Sequence, residues 1–348
     1  MRIECAAFTA NGVRLAQRLA EFFRDGGDVC TVSAPEKYAE NGVAALGSLA
    51  DWTARSFGQA DALIFVSACG IAVRSVAPHL RSKFTDPAVV AVDDCGRFAI
   101  PLVSGHVGGA NALARRIAGA IGAQAVVTTA TDGNGVFAVD TWAAGQGFLV
   151  MRPGAAKAVS AALLNGEPVG FYSDFPVEGP LPKGIVPAKE GKVGIRISLA
   201  YEEMFQATCW ILPRILTLGI GCKRGTEPIK IQKAVDSTLQ GKYLYMESVQ
   251  NVASIDKKCD EIGLLEFCKA NCLVCNFFSA EQLMRVKGRF TGSVFVQNTV
   301  GVDNVCERAA VLGSGGTLLV GKQVFSGVTV AVAAAPLVIR FWWKEGML

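Results

Sequence analysis

The stretch Leu102-Val-Ser-Gly-His-Val-Gly-Gly-Ala-Asn111 joins an apolar run, Phe98 to Val103, to an amphipathic segment, Ala112 to Ala120. The run is typical of a β-strand and the segment of a helix. A glycine-rich turn between them leaves backbone N–H groups unpaired at the positive end of the helix, where an anion or a developing oxyanion binds. The turn contains His106, one of only two histidines, so it also offers a base that titrates near pH 7. The alternative is a tight turn in which Ser104 caps the helix.

The composition predicts a well-buried α/β protein of two or three domains. The chain has 348 residues, of which 51% are hydrophobic and 18% charged, with 38 glycines. These values exclude a largely disordered chain. The longest apolar stretch, Val328 to Ile339, contains a proline and is too short for a membrane helix, so we expect a buried strand.

The N-terminus and the cysteines indicate a cytoplasmic protein. Met1-Arg-Ile-Glu4 contains an early acid and begins no apolar signal core. The 11 cysteines are an odd number without an export signal, which favours reduced thiols over a disulfide framework. A net charge of +4 suits a polyanionic small molecule, and we find no nucleic-acid motif.

The order of elements predicts three α/β domains. In the first, strands at 3–8 and 62–67 alternate with helices at 12–24 and 71–80, and a hairpin pairs 88–92 with 97–102. Repeated βα units predict a mainly parallel, three-layer domain over residues 1–132. A proline-rich stretch predicts a small middle α/β domain over 133–212, and renewed alternation predicts a C-terminal α/β domain over 213–348.

A second glycine-rich turn, Gly219-Ile-Gly-Cys-Lys-Arg-Gly-Thr226, lies between a predicted strand and a predicted helix. Its order of glycines and lysine is neither that of a P-loop nor that of a dinucleotide fingerprint. Lys223 and Arg224 beside a helix start predict carboxylate binding. The alternative is a solvated loop.

The cysteine run Cys268-x3-Cys272-x2-Cys275 has the spacing of an iron–sulfur site. However, Cys268 ends a predicted helix, and the other two cysteines fall on a predicted strand. Strand side chains three residues apart face opposite sides. We therefore predict buried structural cysteines and no metal site.

Several motifs resemble the cobalt-precorrin-5A hydrolase family. The N-terminal half resembles it at Gly70-Ile-Ala-Val-Arg74, Asp86-Pro-Ala-Val89, Gly96-Arg97 and Ser104-Gly-His-x-Gly-Gly-Ala-Asn111. The C-terminal part resembles it at Gly219 to Gly225 and at Val305-Cys-Glu307-Arg-Ala-Ala310. The motifs follow the family's order over nearly the whole chain, whereas the tail from Phe341 to Gly346 matches nothing in the family.

The resemblance implies opening of a δ-lactone on a cobalt-containing macrocycle, with release of acetaldehyde to give cobalt-precorrin-5B in anaerobic cobalamin biosynthesis. The cobalt belongs to the substrate, and no cofactor or metal of the protein's own is expected. We hypothesise that His106 activates water, that the N–H groups of Gly108 to Ala110 bind the oxyanion, and that Ser104 and Asn111 orient the reacting groups. The expected substrate-binding residues share a glycine turn or a place in the family motifs: Gly70, Arg74, Arg97, Gly108, Gly109, Lys223, Arg224 and Glu307.

Two other classes of function stay open. A non-catalytic corrinoid carrier would bind the intermediate without releasing acetaldehyde. A nucleotide-dependent enzyme would use the glycine turns for phosphates. The expected partner is a cobalt-corrinoid small molecule, with no nucleic acid and no membrane. A homodimer and transient contacts with neighbouring pathway enzymes are compatible with the sequence.

Overall fold

The structure is a computed structural model that describes residues 1–82, 85–105, 108–129, 135–293, 297 and 301–341. These residues divide into two compact units. Unit 1 contains Met1–Gly145, and unit 2 begins at Gln146 and contains the rest of the described chain. The α/β class predicted from the sequence is confirmed. The three domain boundaries stay a prediction.

Unit 1 is built on a seven-stranded sheet with the strand order β3-β2-β1-β4-β5-β6-β7. The strands are β1 (Arg2–Ala7), β2 (Val29–Ala34), β3 (Val43–Ala45), β4 (Ala62–Val66), β5 (Ala88–Val92), β6 (Phe98–Val103) and β7 (Gln124–Ala125). The helices are α1 (Ala10–Asp25), α2 (Leu49–Phe57), α3 (Cys69–Val76), α4 (Ala110–Ile121) and α5 (Val139–Gly145).

Both faces of this sheet are covered by helices, as the prediction of three layers requires. On one face, Leu19 of α1 and Ile117 of α4 share a buried cluster with Ile64 of the sheet. On the other, Trp52 of α2 packs edge to face on Phe65 at 5.5 Å. Strands that helices cover on both faces have continuous apolar sequences. This explains why every residue of β4 and β5 is apolar and buried.

The strand directions decide where the turns of unit 1 lie. Strands β1 to β5 run parallel to their neighbours, β6 is antiparallel to β5, and β7 is parallel to β6. The predicted hairpin is therefore confirmed. The predicted helix over 71–80 ends earlier, at Val76, and a 3-10 turn with Pro78 follows over 77–79, because proline has no N–H to continue an α-helix.

Unit 2 begins with a five-stranded sheet of order β11-β9-β12-β13-β8 and a separate two-stranded pair, β10 with β19. The strands are β8 (Leu149–Val150), β9 (Val169–Ser173), β10 (Val177–Glu178), β11 (Ile185–Pro187), β12 (Val193–Ile197), β13 (Ala207–Leu212) and β19 (Ile339–Arg340). Helix α6 (Pro153–Leu164) packs against this sheet.

The second sheet of unit 2 has the order β16-β15-β14-β18-β17. Its strands are β14 (Leu216–Cys222), β15 (Val249–Ile255), β16 (Val274–Phe278), β17 (Thr317–Phe325) and β18 (Val328–Ala334). Its helices are α7 (Pro228–Gln240), α8 (Ile262–Ala270), α9 (Ala280–Arg285) and α10 (Cys306–Ser314). The run that includes Val328 is a buried strand, as predicted.

Helix α10 lies directly on the backbone of β14 at Gly219. A Cβ atom added there would lie 1.8 Å from the carbonyl oxygen of Cys306 and 2.8 Å from Ala310 Cβ. We expect Gly219→Ala to lower the free energy of unfolding by about 1–3 kcal/mol, because the helix must move away. Urea denaturation measures this. Gly154→Ala in α6 is the control, since its Cβ would meet nothing within 4 Å; equal stability of the two variants would contradict the prediction.

Candidate active site

The predicted glycine turn joins β6 directly to α4 in the structure. The strand ends at Val103 and the helix begins at Ala110. His106 and Val107 lie outside the described residues. The residues that flank them are described and define the frame of the turn.

The small residues of the turn are required by its backbone. Gly109 has φ +83° and Ser104 has φ +58°, a left-handed conformation that costs little only for glycine. A Cβ atom on Gly108 would lie 2.2 Å from Ser104 Cβ. The turn is therefore wound so tightly that Gly108 admits no side chain.

The N–H groups at the start of α4 are only partly available to a ligand. The N–H of Ala110 donates to the Ser104 carbonyl at 3.1 Å, and that of Asn111 to the Gly105 carbonyl at 2.9 Å. Ala110 was an expected oxyanion donor, and this bond removes it. Among the described residues, the N–H groups of Gly108 and Gly109 make no hydrogen bond, so they are the donors that can face an anion.

Two buried side chains fix the ends of the turn. Ser104 Oγ donates to the carbonyl oxygen of Asp86 at 2.9 Å, and Asn111 Nδ2 donates to Thr129 Oγ1 at 2.9 Å. Ser104 and Asn111 are 8% and 5% exposed. The Ser104 hydroxyl is therefore engaged by the backbone, and the orienting roles expected for Ser104 and Asn111 stay predictions. Asp86 begins one of the family motifs, but sequence reasoning missed both contacts because each joins residues 18 positions apart.

The structure does not bring Gly70 and Arg97 to this turn. Val103 pairs with Val89 at the start of β5, whereas Ala99 pairs with Val92 at its end. The turn therefore lies at the amino end of β5. Gly70 follows β4 and Arg97 precedes β6, so both lie at the carboxyl end, about 17 Å away along β6.

The environments of Arg97, Arg74 and His79 are also defined. Arg97 is held in the hairpin by Asp93 at 3.3 Å, and the same carboxylate accepts the N–H groups of residues 97 and 98. Arg74 is exposed on α3, which starts at the carboxyl edge of the sheet. His79 is half-buried, with its ring 5.8 Å from that of Phe57.

The second glycine turn, between β14 and α7, is filled by carboxylates of the chain itself. Arg224 forms a two-pronged ion pair with Asp260 at 3.0 and 3.3 Å. The N–H of Gly225 donates to Glu261 Oε1 at 2.7 Å. Lys223 is exposed. Carboxylate binding by Lys223 and Arg224 stays a prediction, and Asp260 and Glu261 are 36 residues away in sequence, which is why sequence reasoning missed them.

Glu261 stabilises unit 2 in its ionised form. Its side chain is 3% exposed and accepts a hydrogen bond from Lys258 Nζ at 3.1 Å. Burial alone would raise the pKa of Glu261, but the hydrogen bonds from Lys258 and the Gly225 N–H outweigh it and lower the pKa below its ordinary value of 4.5. A carboxyl whose pKa is lowered by folding stabilises the fold above its unfolded pKa, and this stabilisation is lost as the pH falls through the folded pKa.

Glu261→Gln is expected to lower the free energy of unfolding at pH 7 by about 2 kcal/mol, because Lys258 loses its buried partner. Below about pH 4.5 the difference from the unmodified chain should narrow, since Glu261 itself becomes protonated. Urea midpoints at pH 7, 5 and 4 measure this. Glu227→Gln, which breaks an exposed pair with Lys230, should leave the midpoint unchanged. A Glu261→Gln effect that is independent of pH would contradict the assignment.

Glu307 is buried within unit 2 and bonded on both oxygens. It is 2% exposed. It accepts from the Thr291 N–H at 2.7 Å, Thr291 Oγ1 at 3.1 Å, Asn304 Nδ2 at 2.6 Å and the Lys322 N–H at 2.7 Å. These contacts tie β17 and the segment before α10 together. These hydrogen bonds satisfy both oxygens of the Glu307 carboxylate without a ligand. A substrate-binding role for Glu307 stays a prediction.

The cysteine run does not form a metal centre. Cys268 lies in α8, Cys275 in β16, and Cys272 in the turn between them with φ +53°. The prediction that Cys272 lies on the strand is wrong, because its N–H bonds back to Lys269 and prolongs the helix end as a turn. In the described ranges, no three cysteine, histidine or acidic side chains are placed to hold a metal ion.

None of the described helices has the length and apolarity that a membrane span requires.

Comparisons with known proteins cover most of the chain. Family profiles described as cobalamin synthesis G N-terminal, cobalamin biosynthesis central region and cobalamin synthesis G C-terminus match residues 51–132, 137–203 and 216–333. A cobalt-precorrin-5A hydrolase of Salmonella typhimurium is 34% identical over 342 residues, 94% of this chain and 96% of the relative. One of Priestia megaterium is 32% identical over 353 residues, 95% of this chain and 94% of the relative. A crystal structure of a cobalamin biosynthesis protein G homolog from Sulfolobus solfataricus is 21% identical, covers 95% of this chain and 96% of its own, and has a TM-score of 0.41.

Proposed function

This chain belongs to the cobalamin synthesis G family, and we propose that it hydrolyses cobalt-precorrin-5A at the glycine turn of unit 1. Its function is that of a cobalt-precorrin-5A hydrolase in cobalamin biosynthesis. The reaction opens the δ-lactone with water and releases acetaldehyde to give cobalt-precorrin-5B. The observation that carries the proposed site is the pair of N–H groups at Gly108 and Gly109, which make no hydrogen bond to the described part of the chain and lie in a turn held at both ends.

The first step is the addition of water to the lactone carbonyl. His106 accepts a proton from the water, whose oxygen bonds to the carbonyl carbon while the carbonyl oxygen becomes negative. The N–H groups of Gly108 and Gly109 donate to this oxyanion. When the tetrahedral intermediate collapses, the ring C–O bond breaks and the imidazolium of His106 returns its proton to the leaving alkoxide. A carboxylic acid and an alcohol result, and the acid loses its proton to the solvent to become a carboxylate.

The second step releases the two-carbon fragment. The alcohol loses its proton as its carbon becomes the aldehyde carbon of acetaldehyde, and the C–C bond to the macrocycle breaks. The electron pair stays on the macrocycle carbon, which is then protonated. This is a retro-aldol step, and it balances without an oxidant or reductant.

The cobalt is part of the substrate, and the proposal requires no metal or cofactor bound by the chain itself. We place the protein in the cytoplasm, where the reduced cysteines expected from the sequence would persist. The partner is a cobalt-corrinoid small molecule. A homodimer and transient contacts with neighbouring enzymes stay predictions. Carboxylate binding by Arg74, Lys223 and Arg224 stays a prediction: Arg74 and Lys223 are exposed, whereas Arg224 would have to exchange Asp260 for the substrate.

Anaerobic incubation of the purified protein with the lactone substrate tests the function. Trapped acetaldehyde should appear in step with the mass change of the macrocycle to the ring-opened product. Tight binding of the substrate without acetaldehyde would indicate the non-catalytic carrier instead. That alternative is not favoured, because relatives that match over almost their whole length are named as hydrolases. Stabilisation by a nucleotide would point to the nucleotide-dependent class.

A further inference from the structure

We infer that Arg81 binds a carboxylate of the substrate during lactone hydrolysis, an assignment that rests on the proposed function. Gly70 and Arg97, which the sequence predicted to bind the substrate, lie at the opposite edge of the sheet from the catalytic turn. A polyanionic substrate seated at the turn needs a cation at the same edge, and the loop before β5 provides one.

The backbone of Arg81 is held by Asp86. Asp86 Oδ2 accepts the N–H of Arg81 at 2.9 Å and that of Ser82 at 3.0 Å. The Asp86 N–H donates to the Ser82 carbonyl at 2.8 Å. Asp86 is 8% exposed. The backbone of Arg81 is therefore already fixed before a ligand binds. This reduces the conformational entropy that is lost when its side chain binds a ligand.

The same aspartate connects Arg81 to the catalytic turn. Its carbonyl oxygen accepts the Ser104 hydroxyl at 2.9 Å. A single aspartate spans about 5 Å from Oδ2 to its carbonyl oxygen, so the Arg81 nitrogen lies no more than about 11 Å from Ser104 Oγ. An extended arginine side chain covers most of such a distance. The guanidinium can thus contact a macrocycle whose lactone lies at the turn.

The Arg81 side chain is available for an external carboxylate. It is exposed, and none of the acidic side chains in the described residues forms an ion pair with it. By contrast, Arg97 is paired with Asp93 and Arg224 with Asp260. A guanidinium binds a carboxylate through two parallel hydrogen bonds, which orients the ligand as well as attracting it.

Steady-state kinetics of acetaldehyde release test this inference. Arg81→Gln should raise KM about tenfold and change kcat less than about twofold, because a charge-assisted contact remote from the lactone is lost equally from the ground and transition states. Arg81→Lys should recover part of the loss by keeping the charge. The KM difference between Arg81→Gln and the unmodified enzyme should shrink at high salt. Arg18→Gln on the exposed side of α1 removes the same charge and should leave KM unchanged.

Two results would overturn the inference. One is a KM of Arg81→Gln within twofold of the unmodified enzyme, and the other is a KM that responds to Arg97→Gln instead, which would place the substrate at the opposite edge. Both need an unmodified enzyme that releases acetaldehyde. An unmodified enzyme that releases none would contradict the proposed function, so the two failures are distinguishable.

Discussion

Gly108→Ala is expected to lower the rate of acetaldehyde release at least about 100-fold, because the turn that holds the oxyanion donors must rewind. The new Cβ would lie 2.2 Å from Ser104 Cβ and 2.9 Å from the Ser104 carbonyl oxygen. Neither atom can move freely. The Ser104 hydroxyl donates a hydrogen bond to the Asp86 carbonyl oxygen, and the Ser104 carbonyl oxygen accepts the N–H of Ala110. The distortion therefore falls on the N–H groups of Gly108 and Gly109.

Gly119→Ala is the matched control, because it adds the same methyl group to α4 itself. Gly119 is exposed, and its Cβ would meet nothing within 4 Å. It should turn over normally and be slightly more stable, since alanine favours a helix. Thermal unfolding and near-UV circular dichroism establish that Gly108→Ala remains folded. A folded Gly108→Ala enzyme with normal turnover would remove the turn from the mechanism.

His106→Ala is expected to lower kcat by about 10²- to 10⁴-fold, the range that a general base contributes. Substrate affinity should change much less, because the base acts on water in the transition state. Its described neighbours Gly105 and Gly108 belong to the wound turn. The variant should bind the lactone substrate and convert it slowly.

The pH dependence of kcat/KM separates a base from a structural histidine. The imidazole must be neutral to accept a proton, so kcat/KM of the unmodified enzyme should have an acid limb on which activity falls as the imidazole becomes protonated. This limb should disappear in His106→Ala. His79→Ala is the control, because that ring packs on Phe57; it should keep both the limb and the rate. A limb that persists in His106→Ala would assign the base to another group.

The glycine turn between β6 and α4 could be predicted from the sequence because its structural determinants are local. An apolar run, a glycine cluster and an amphipathic segment specify a strand, a turn and a helix. The structure has them at Phe98–Val103 and Ala110–Ile121. The bonds of Ser104 to Asp86 and of Asn111 to Thr129 join separate segments, so no local pattern indicates them.

Sheet geometry separates Gly70 and Arg97 from the turn after β6, and their substrate-binding roles stay predictions. The hairpin of β5 and β6 was predicted, and its antiparallel pairing already places the two ends of β6 at opposite edges of the sheet. Parallel strands bind ligands at their carboxyl edge, but the turn after β6 lies at the opposite edge. That rule applies to strands β1 to β5, and β6 runs the other way.

The second glycine turn shows a different limit on predicting a binding site from sequence. Lys223 and Arg224 indicate anion binding when only the loop is considered. In the fold, α8 begins beside the loop, and Asp260 and Glu261 reach Arg224 and the Gly225 N–H. Gly263 permits this approach, since a Cβ there would lie 1.9 Å from the Thr226 carbonyl oxygen. Long-range packing therefore supplies the carboxylates that the loop attracts.

Hydrolysis in ¹⁸O-labelled water tests the central claim most directly, because the turn is assigned to the addition of water at the lactone carbonyl. The mass of the macrocyclic product is measured after anaerobic turnover by the unmodified enzyme. Addition at the carbonyl predicts one ¹⁸O atom in the newly formed carboxylate of the macrocycle. An unlabelled macrocycle would mean that the lactone opened without water reaching that carbon, and would contradict the account.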